Sequence, residues 1–494
     1  MSNKTVQLIF FSLLLLAVVY FPLFLHLDSY SLFRYDEGRN AVHAFEMLER
    51  NNFILRYFEG QPDDWETKPP VFIWFQALCL KIFGANELAI RLPAALAALA
   101  TLAFLFRFCK KHLQDSLAAV LSILFLVTTP GYVGFHVSRT GDHDALLILF
   151  LLIGLFHYYL YTQHRKQIRH WYICVLALSL GVLTKSIAGL FFLPAYLLWS
   201  LRSRHFWPLL KSKHLYLGVG LFFLLVGGYY VWNESLNPGY IELVWRNELF
   251  PRYFDTAGMV DHRALTDRLY YWRHLYRTGY PYYLWFLPFA LFLIHRKAAP
   301  EQWPFFRLLL STSILYFLLI SLGTKNLWYV APLYPLFAIL NAKGLAILLR
   351  ELLDAFAIGR HRQWVLLLCL IGIFHAPYFY VLKHNVYFFS ANVEKYGEAL
   401  AHLEATHPEE KSFSVLYEWH NASYLFYQRV YNRTKGYQIR DCGIKKDIEE
   451  CPWQARAGDK VLICAPDLIQ QFEQRYNSRL VEEIESCRWL EVVK

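Results

Sequence analysis

Residues 171–201, WYICVLALSLGVLTKSIAGLFFLPAYLLWSL, decide how this chain folds, because they read either as one over-long apolar helix or as two short ones joined at Lys185. A membrane span needs roughly 20 apolar residues, with about 17 to 25 tolerated. Comparable runs lie at 6–27, 89–106, 116–133, 145–161, 215–233, 280–294, 305–322, 327–349 and 364–382. Dividing 171–201 into 171–184 and 187–201 brings the expectation to about eleven spans. The first run follows Lys4, exceeds a typical signal-peptide core and lacks a small-x-small cleavage site, so it reads as an uncleaved span.

Charge decides between one helix and two. Short cytoplasmic loops collect Lys and Arg. Alternate loops carry Arg107, Lys110 and Lys111; Arg165, Lys166 and Arg169; Arg202, Arg204, Lys211 and Lys213; Arg296, Lys297 and Arg307; and Lys343, Arg350, Arg360 and Arg362. All fall on one side only if 171–201 is a hairpin. The N-terminus is then expected in the cytoplasm, with Lys185 and the C-terminal segment on the outer, periplasmic side of an inner membrane.

Composition agrees with a membrane class: 56% of the 494 residues are hydrophobic and 18% charged, against roughly 45–50% apolar in soluble proteins. The net charge of +10 sits in clusters between apolar runs, so it sets orientation and is not a nucleic-acid footprint. Neither a Walker motif nor GxGxxG is present, which leaves nucleotide-driven transport without support.

The polar remainder falls on the outer side: 28–88, 134–144, 234–279, 323–326 and the tail from 383. Loop 28–88 carries an amphipathic helix from Asp36 to Arg50, with Ala41, Phe45 and Leu48 on one face. A second apolar stretch, Val71 to Phe83, is short for a span and is expected along the interface. The fold class is thus mainly α, a polytopic transmembrane helical bundle with outer-face interfacial helices and a small C-terminal α/β domain. The membrane region covers 1–382 and the soluble domain 383–494, with strand-like runs at Ser412–Tyr417 and Lys460–Cys464 and a helical pattern from Asp467 to Tyr476. Cys442, Cys451, Cys464 and Cys487 lie in that exported tail; three pairings are open, of which Cys442–Cys451, the nearest in sequence, is mildly favoured.

Candidate chemistry concentrates at the outer ends of the spans. Tyr35-Asp36-Glu37-Gly38-Arg39 follows the first span; two carboxylates and an Arg suit a base with a positioning cation, and equally a helix cap with an i, i+3 ion pair. In Trp65-Glu66-Thr67-Lys68-Pro69-Pro70 a rigid di-proline aims Lys68, a candidate phosphate contact or a stop before the interfacial helix. Ser138-Arg139-Thr140-Gly141-Asp142-His143-Asp144 runs straight into an apolar span, where charge is costly unless it faces protein or a watery cavity. Lys185 and Lys325 occupy short outer turns against the positive-inside rule. An anionic ligand accounts for both better than snorkelling does. Loop 234–279 interleaves aromatic and basic residues, among them Trp245, Arg246, Arg252, Tyr253, His262, Arg263 and His274, as in sugar stacking or an interfacial helix.

These pieces, in this order, resemble the integral-membrane C-type glycosyltransferases that use polyprenyl-phosphate sugars, most closely the branch of lipid A aminoarabinose transferase and the protein O-mannosyltransferases. The resemblance is carried by Asp36-Glu37-Gly38-Arg39, Lys68-Pro69-Pro70, Phe83 to Pro93, Arg139 to Leu147, Leu183-Thr184-Lys185, and Lys325 ahead of Tyr329-Val-Ala-Pro-Leu-Tyr-Pro335. It implies inverting sugar transfer from an undecaprenyl-phosphate type donor to a lipid A, glycan or protein acceptor. Asp36 would be base or acceptor-orienting group with Glu37 beside it, Asp144 or Asp142 would assist, and Arg39, Lys68, Lys185 and Lys325 would bind the donor phosphate. Where the aminoarabinose branch has Glu directly before Lys-Pro-Pro, able to join a metal site, this chain has Thr67, with Glu66 one place earlier; a divalent metal is left open. Asn247-Glu248-Leu-Phe-Pro-Arg252-Tyr253 meets the family's later-loop pattern approximately. The alternative, a transporter or flippase for a lipid-linked anion, would place its charges near mid-membrane.

Overall fold

The computed structural model describes residues 3–164, 166–203, 206–249, 267–359, 361–387, 395–419, 421–445, 447–451 and 454–493. The chain is mainly helical, with a small sheet near its C-terminus. Among the described residues, six helices are long and apolar enough to cross a membrane: Glu87–His112, Asp144–Gln163, Arg169–Leu190, Lys213–Leu236, Pro300–Leu322 and Arg362–Tyr387. The remaining expected spans fall on Asn3–Phe24, Ser116–Val127, Leu193–Arg202, Phe286–Lys297 and Leu333–Ala355. Contacts divide the chain into two units: Met1–Leu25, Pro62–Phe72 and Pro93–Phe388 form the first, and His26–Gln61, Ile73–Leu92 and Phe389–Lys494 the second. The segments 26–61 and 73–92 thus group with the C-terminal segment by contact.

In the first unit the stretch 171–201 turns back on itself. The helix Arg169–Lys185 ends at Lys185, Ser186 takes a left-handed φ of 51°, and a short 3-10 turn Ser186–Leu190 precedes the helix Leu193–Arg202. The returning turn lies so close that a Cβ on Gly189 would strike the backbone of Gly181 and Val182. The returning helix then follows Asp144–Gln163 in the same direction: the Tyr158 hydroxyl donates to the Tyr196 carbonyl (3.0 Å) and the Trp199 indole N–H to the Thr162 hydroxyl (3.2 Å). Asp144 and Lys185 stand together where this arrangement begins. A second charged knot marks the opposite end of the unit. Asp115 caps Ser116–Val127 through the Ala118 N–H (2.9 Å) and accepts from Lys343 (3.0 Å) and Arg350 (3.0 Å) on and beside the neighbouring turns of Leu333–Ala355. That last helix packs its Gly344 directly on Ala290, where a Cβ would collide.

The second unit is organised by a buried arginine. Arg91 donates Nε to Glu37 Oε1 (2.8 Å), Nη2 to Glu37 Oε2 (3.1 Å) and the Ser31 carbonyl (2.9 Å), and Nη1 to the carbonyls of Leu27 and Tyr30 (2.8 Å each). All of its donor capacity is used inside the unit, as a buried guanidinium requires. The helix Asp36–Arg50 has the expected limits but is buried on several sides rather than along one stripe, taking in Asn40, His43 and Glu46 as well as Ala41 and Phe45. It crosses the helix Ala422–Thr434 at Gly38, where any side chain would meet the backbone of Ala422 and Ser423.

The sheet of this unit orders its strands Gln438–Ile444, Ser412–Glu418, Lys460–Ile463, Cys487–Val492, Ser478–Ile484, the first three parallel and the last two pairings antiparallel. Lys460–Ile463 and Cys487–Val492 are neighbours, so Cys464 and Cys487 face each other with Cα atoms 3.9 Å apart and form the disulfide. This corrects the Cys442–Cys451 expectation. Those two cysteines remain thiols although they touch, because strand pairing and not sequence distance brings sulfurs into register.

Asp441, on the edge strand Gln438–Ile444, is raised from 3.8 to about 6 by burial and by the charge of Glu59, against the pull of Arg429. A raised carboxyl contributes stability that is complete below pH 3.8, its ordinary value, and is lost as pH rises through about 6. Thermal unfolding of the full chain in detergent is expected to show Asp441→Asn equal to the parent at pH 4 and a few degrees more stable at pH 8; parallel curves across that window contradict the assignment.

Candidate active site

One end of the first unit gathers most of the charged residues singled out in the sequence. Asp144 opens the helix Asp144–Gln163 and Lys185 closes Arg169–Lys185; their side chains are 6% exposed or less and meet at 2.5 Å. Two charges at membrane depth are tolerable only as such a pair. Lys185 Nζ also lies 5.5 Å from the centre of the Tyr329 ring, and Tyr329 is fixed through its carbonyl by the Tyr316 hydroxyl (2.7 Å). Asp144 and Lys185 border a cleft whose other walls are the Gly323-Thr324 turn and the apolar or aromatic side chains of Leu147, Phe191, Tyr316, Leu319 and Tyr329. The cleft therefore has a charged head and an apolar flank.

Lys325 belongs to the same turn; its ammonium donates to the Gly323 carbonyl at 3.4 Å, and burial lowers its pKa. A lysine held this way favours any anion that arrives, because the anion restores what desolvation removed. Asp142 is set beside His136, whose Nδ1 is 3.4 Å from Oδ1, and accepts from the Thr140 hydroxyl at 2.6 Å. Burial acts to raise the Asp142 carboxyl, but His136, Thr140 and His143 outweigh it and hold it at about 2. So weak a base is better suited to anchoring a cation than to taking a proton. Lys68 pairs with Glu66 at 2.6 Å, so the acid displaced by one position from the family's pattern neutralises this lysine.

The Lys-Pro-Pro element is tied down on both sides. The Tyr240 hydroxyl donates to the Thr67 carbonyl (2.8 Å), Asn247 donates to the carbonyls of Asp64 (2.9 Å) and Trp65 (3.1 Å), and Phe72 packs on the His143 ring. This gives Asn247 of the later loop a positioning role; Arg252, Tyr253, Asp261, His262 and Arg263 lie outside the described residues. Burial lowers His274 to about 4, so it stays neutral while bonding Thr278 (2.8 Å) and Tyr334 (3.3 Å).

Asp36, Glu37 and Arg39 lie in the second unit. Asp36 is the first residue of its helix, one place inside the N-cap position, which Tyr35 occupies. Arg39 stacks over Phe58 at 4.0 Å. Glu37 is 1% exposed and takes both its Arg91 bonds and the Phe33 N–H (2.8 Å), which is structural work. His136 is the residue that sequence reasoning missed. It adopts a left-handed φ of 61° and stacks on Trp328 at 3.6 Å, so a lone histidine after Phe135 gains a charged partner and an aromatic lid through folding alone. His136 and Asp142 offer a nitrogen and an oxygen ligand that fit a divalent cation, which would hold charge at this end of the unit.

Fold and site define a polytopic membrane protein with a buried acid–lysine pair at one end of its helices. Residues 67–232 match the dolichyl-phosphate-mannose-protein mannosyltransferase family. An uncharacterized protein of Aquifex aeolicus is 28% identical over 67% of this chain and 63% of its own length. An undecaprenyl phosphate-alpha-4-amino-4-deoxy-L-arabinose arabinosyl transferase of Pseudomonas savastanoi pv. phaseolicola is 28% identical over 38% of this chain and 36% of its own. The chain therefore spans less than two thirds of these relatives. ArnT from Cupriavidus metallidurans, solved bound to undecaprenyl phosphate, superposes with a TM-score of 0.72 at 17% identity over 99% of this chain and 98% of that one, which shows a shared fold. This chain is similar to the membrane glycosyltransferases of the mannosyltransferase and arabinosyl transferase kind, as its ordered motifs indicate.

Removing one member of a buried ion pair leaves the other uncompensated, at a cost of roughly 3–5 kcal/mol. Lys185→Met and Asp144→Asn are each expected to lower the thermal midpoint in detergent, and the double variant to recover most of the loss. A double variant that loses as much as both singles together contradicts the pairing.

Proposed function

We propose that this protein transfers a sugar from a polyprenyl-phosphate donor of the undecaprenyl type to a lipid A, glycan or protein acceptor at the outer face of an inner membrane, with inversion. The observation that carries the reading is the cleft at Asp144 and Lys185, whose head is charged and whose flank of Leu147, Phe191 and Leu319 is apolar. That is the chemistry of a phosphate attached to a prenyl chain. The fold shared with a transferase solved bound to undecaprenyl phosphate supports it.

In this reading the acceptor oxygen attacks the anomeric carbon, the bond from that carbon to the phosphate oxygen breaks, and the electron pair leaves with the polyprenyl phosphate. Lys185 and Lys325, held where the negative charge develops, stabilise the departing phosphate. Lys68, already paired with Glu66, adds no net positive charge to this reading. Asp36 takes the proton of the acceptor. Asp144 sets the position of Lys185, and the strongly acidic Asp142, with His136, anchors positive charge rather than moving protons. The orientation follows from charge: Asp115, Lys343 and Arg350 mark one end of the bundle, and Asp144, Lys185 and the 323–329 turn the other. The basic end faces the cytoplasm with the N-terminus, and the C-terminal α/β domain, 383–494, is periplasmic.

A general base contributes typically about 10²–10⁴-fold to a rate. In membranes supplied with an undecaprenyl-phosphate sugar, Asp36→Asn is expected to lose at least about 100-fold in transfer while inserting normally. Undiminished transfer by that variant removes Asp36 from the role of base.

A further inference from the structure

The second unit holds a cavity whose lining includes none of the residues assigned above to donor binding or proton transfer. It is a cleft of about 470 Å³ between the C-terminal half of Asp36–Arg50, the tight turn at Gly60, the helix Ala422–Thr434 and the start of Gln438–Ile444. Its size falls within the range of about 300–1,000 Å³ usual for small-molecule sites. Its lining contains no aliphatic side chain and carries three guanidiniums, Arg50, Arg429 and Arg433, against two carboxylates, Glu46 and Glu49.

These groups are arranged in pairs. Arg429 meets Glu46 at 2.6 Å on the floor, where Glu46 is 2% exposed and also accepts from the Gly60 N–H at 3.0 Å. Arg433 meets Glu49 at 3.2 Å on the rim, with Arg433 71% exposed. Arg50 lies over the Tyr57 ring at 4.5 Å and donates to the Gly60 carbonyl at 2.8 Å, which stiffens the turn. The far wall is equally fixed: Asn432 accepts from the Ile439 N–H (2.8 Å) and donates to its carbonyl (3.1 Å). The cleft is thus built in advance of any ligand.

Its chemistry selects the ligand class. With Tyr437 as its one aromatic side chain and no aliphatic one, the cleft gives little gain on burying an acyl chain or a hydrophobic peptide anchor. Two carboxylates, one of them on the floor, repel a polyphosphate or a nucleic-acid backbone. Guanidinium and carboxylate edges side by side offer the planar donors and acceptors that hydroxyl-rich molecules satisfy, and the excess of one positive charge favours a ligand bearing a carboxylate or one phosphate. We infer that the cleft lined by Glu46, Glu49, Arg50, Arg429 and Arg433 is a binding site for an acidic saccharide, distinct from the cleft at Asp144 and Lys185. The inference stands on this cavity alone and does not depend on the transferase reading.

Such a saccharide is either free or the head group of a glycolipid. Isothermal titration calorimetry of the full chain in detergent would use trigalacturonate as probe, with maltotriose and inorganic phosphate as controls; a second arm would use nanodiscs containing glucuronosyl diacylglycerol. Binding of trigalacturonate at least tenfold tighter than either control, weakened at least tenfold by Arg433→Glu, is expected for a free saccharide. Binding confined to the nanodisc arm, with the same loss in Arg433→Glu, assigns the site to a glycolipid head group. Arg433 is on the rim and its replacement leaves the floor pair intact, so an unchanged thermal midpoint separates lost binding from lost fold. Absence of binding in both arms, equal binding of maltotriose or phosphate, or indifference to Arg433→Glu overturns the inference.

Discussion

A carboxylate and an ammonium buried against each other at the end of two apolar helices are the constraint on which the first unit turns. Asp144 and Lys185 are 6% exposed or less and meet at 2.5 Å, so each holds the other in place. The lysine is the last residue of its helix, and the break at Ser186 sends the chain back along Asp144–Gln163. The ion pair thus stands at the helix terminus where the chain reverses. The same pair stands at the edge of a cleft with an apolar flank.

The second unit solves a similar problem with a buried arginine. Arg91 enters from a helix far along the chain and saturates itself on Glu37 and three carbonyls of the segment 27–31. Tyr427 continues the tie, accepting from the Leu32 N–H and donating to Glu87. Of the adjacent carboxylates, Glu37 therefore holds the loop, while Asp36 opens the first turn of the helix.

Much of the architecture was legible in the sequence because apolar length and basic loops are properties of the chain itself. The limits of Asp36–Arg50 and Val71–Phe83, the strand-like runs of the tail and the break at Lys185 could be read directly. Glu37 could not be told from Asp36, since nothing local announces that Arg91, distant in sequence, will claim it. The pairing of Cys464 with Cys487 depends on which strands become neighbours, and sequence distance pointed elsewhere. His136 carries no motif at all; its partners Asp142 and Trp328 meet it only through folding. Glu66, one place from where the family resemblance expects an acid, turns out to neutralise Lys68.

The central claim is that Lys185, oriented by Asp144, receives the phosphate of a lipid-linked ligand. Native mass spectrometry of the full chain with undecaprenyl phosphate, comparing the parent with the charge-swapped variant Asp144→Lys with Lys185→Asp, tests it most directly. The swap keeps a buried pair, so the fold is retained, but it puts the carboxylate where the ammonium stood. The account predicts that the swapped protein stays folded and loses bound undecaprenyl phosphate at least tenfold. Retention of the lipid at the parent's level would contradict it.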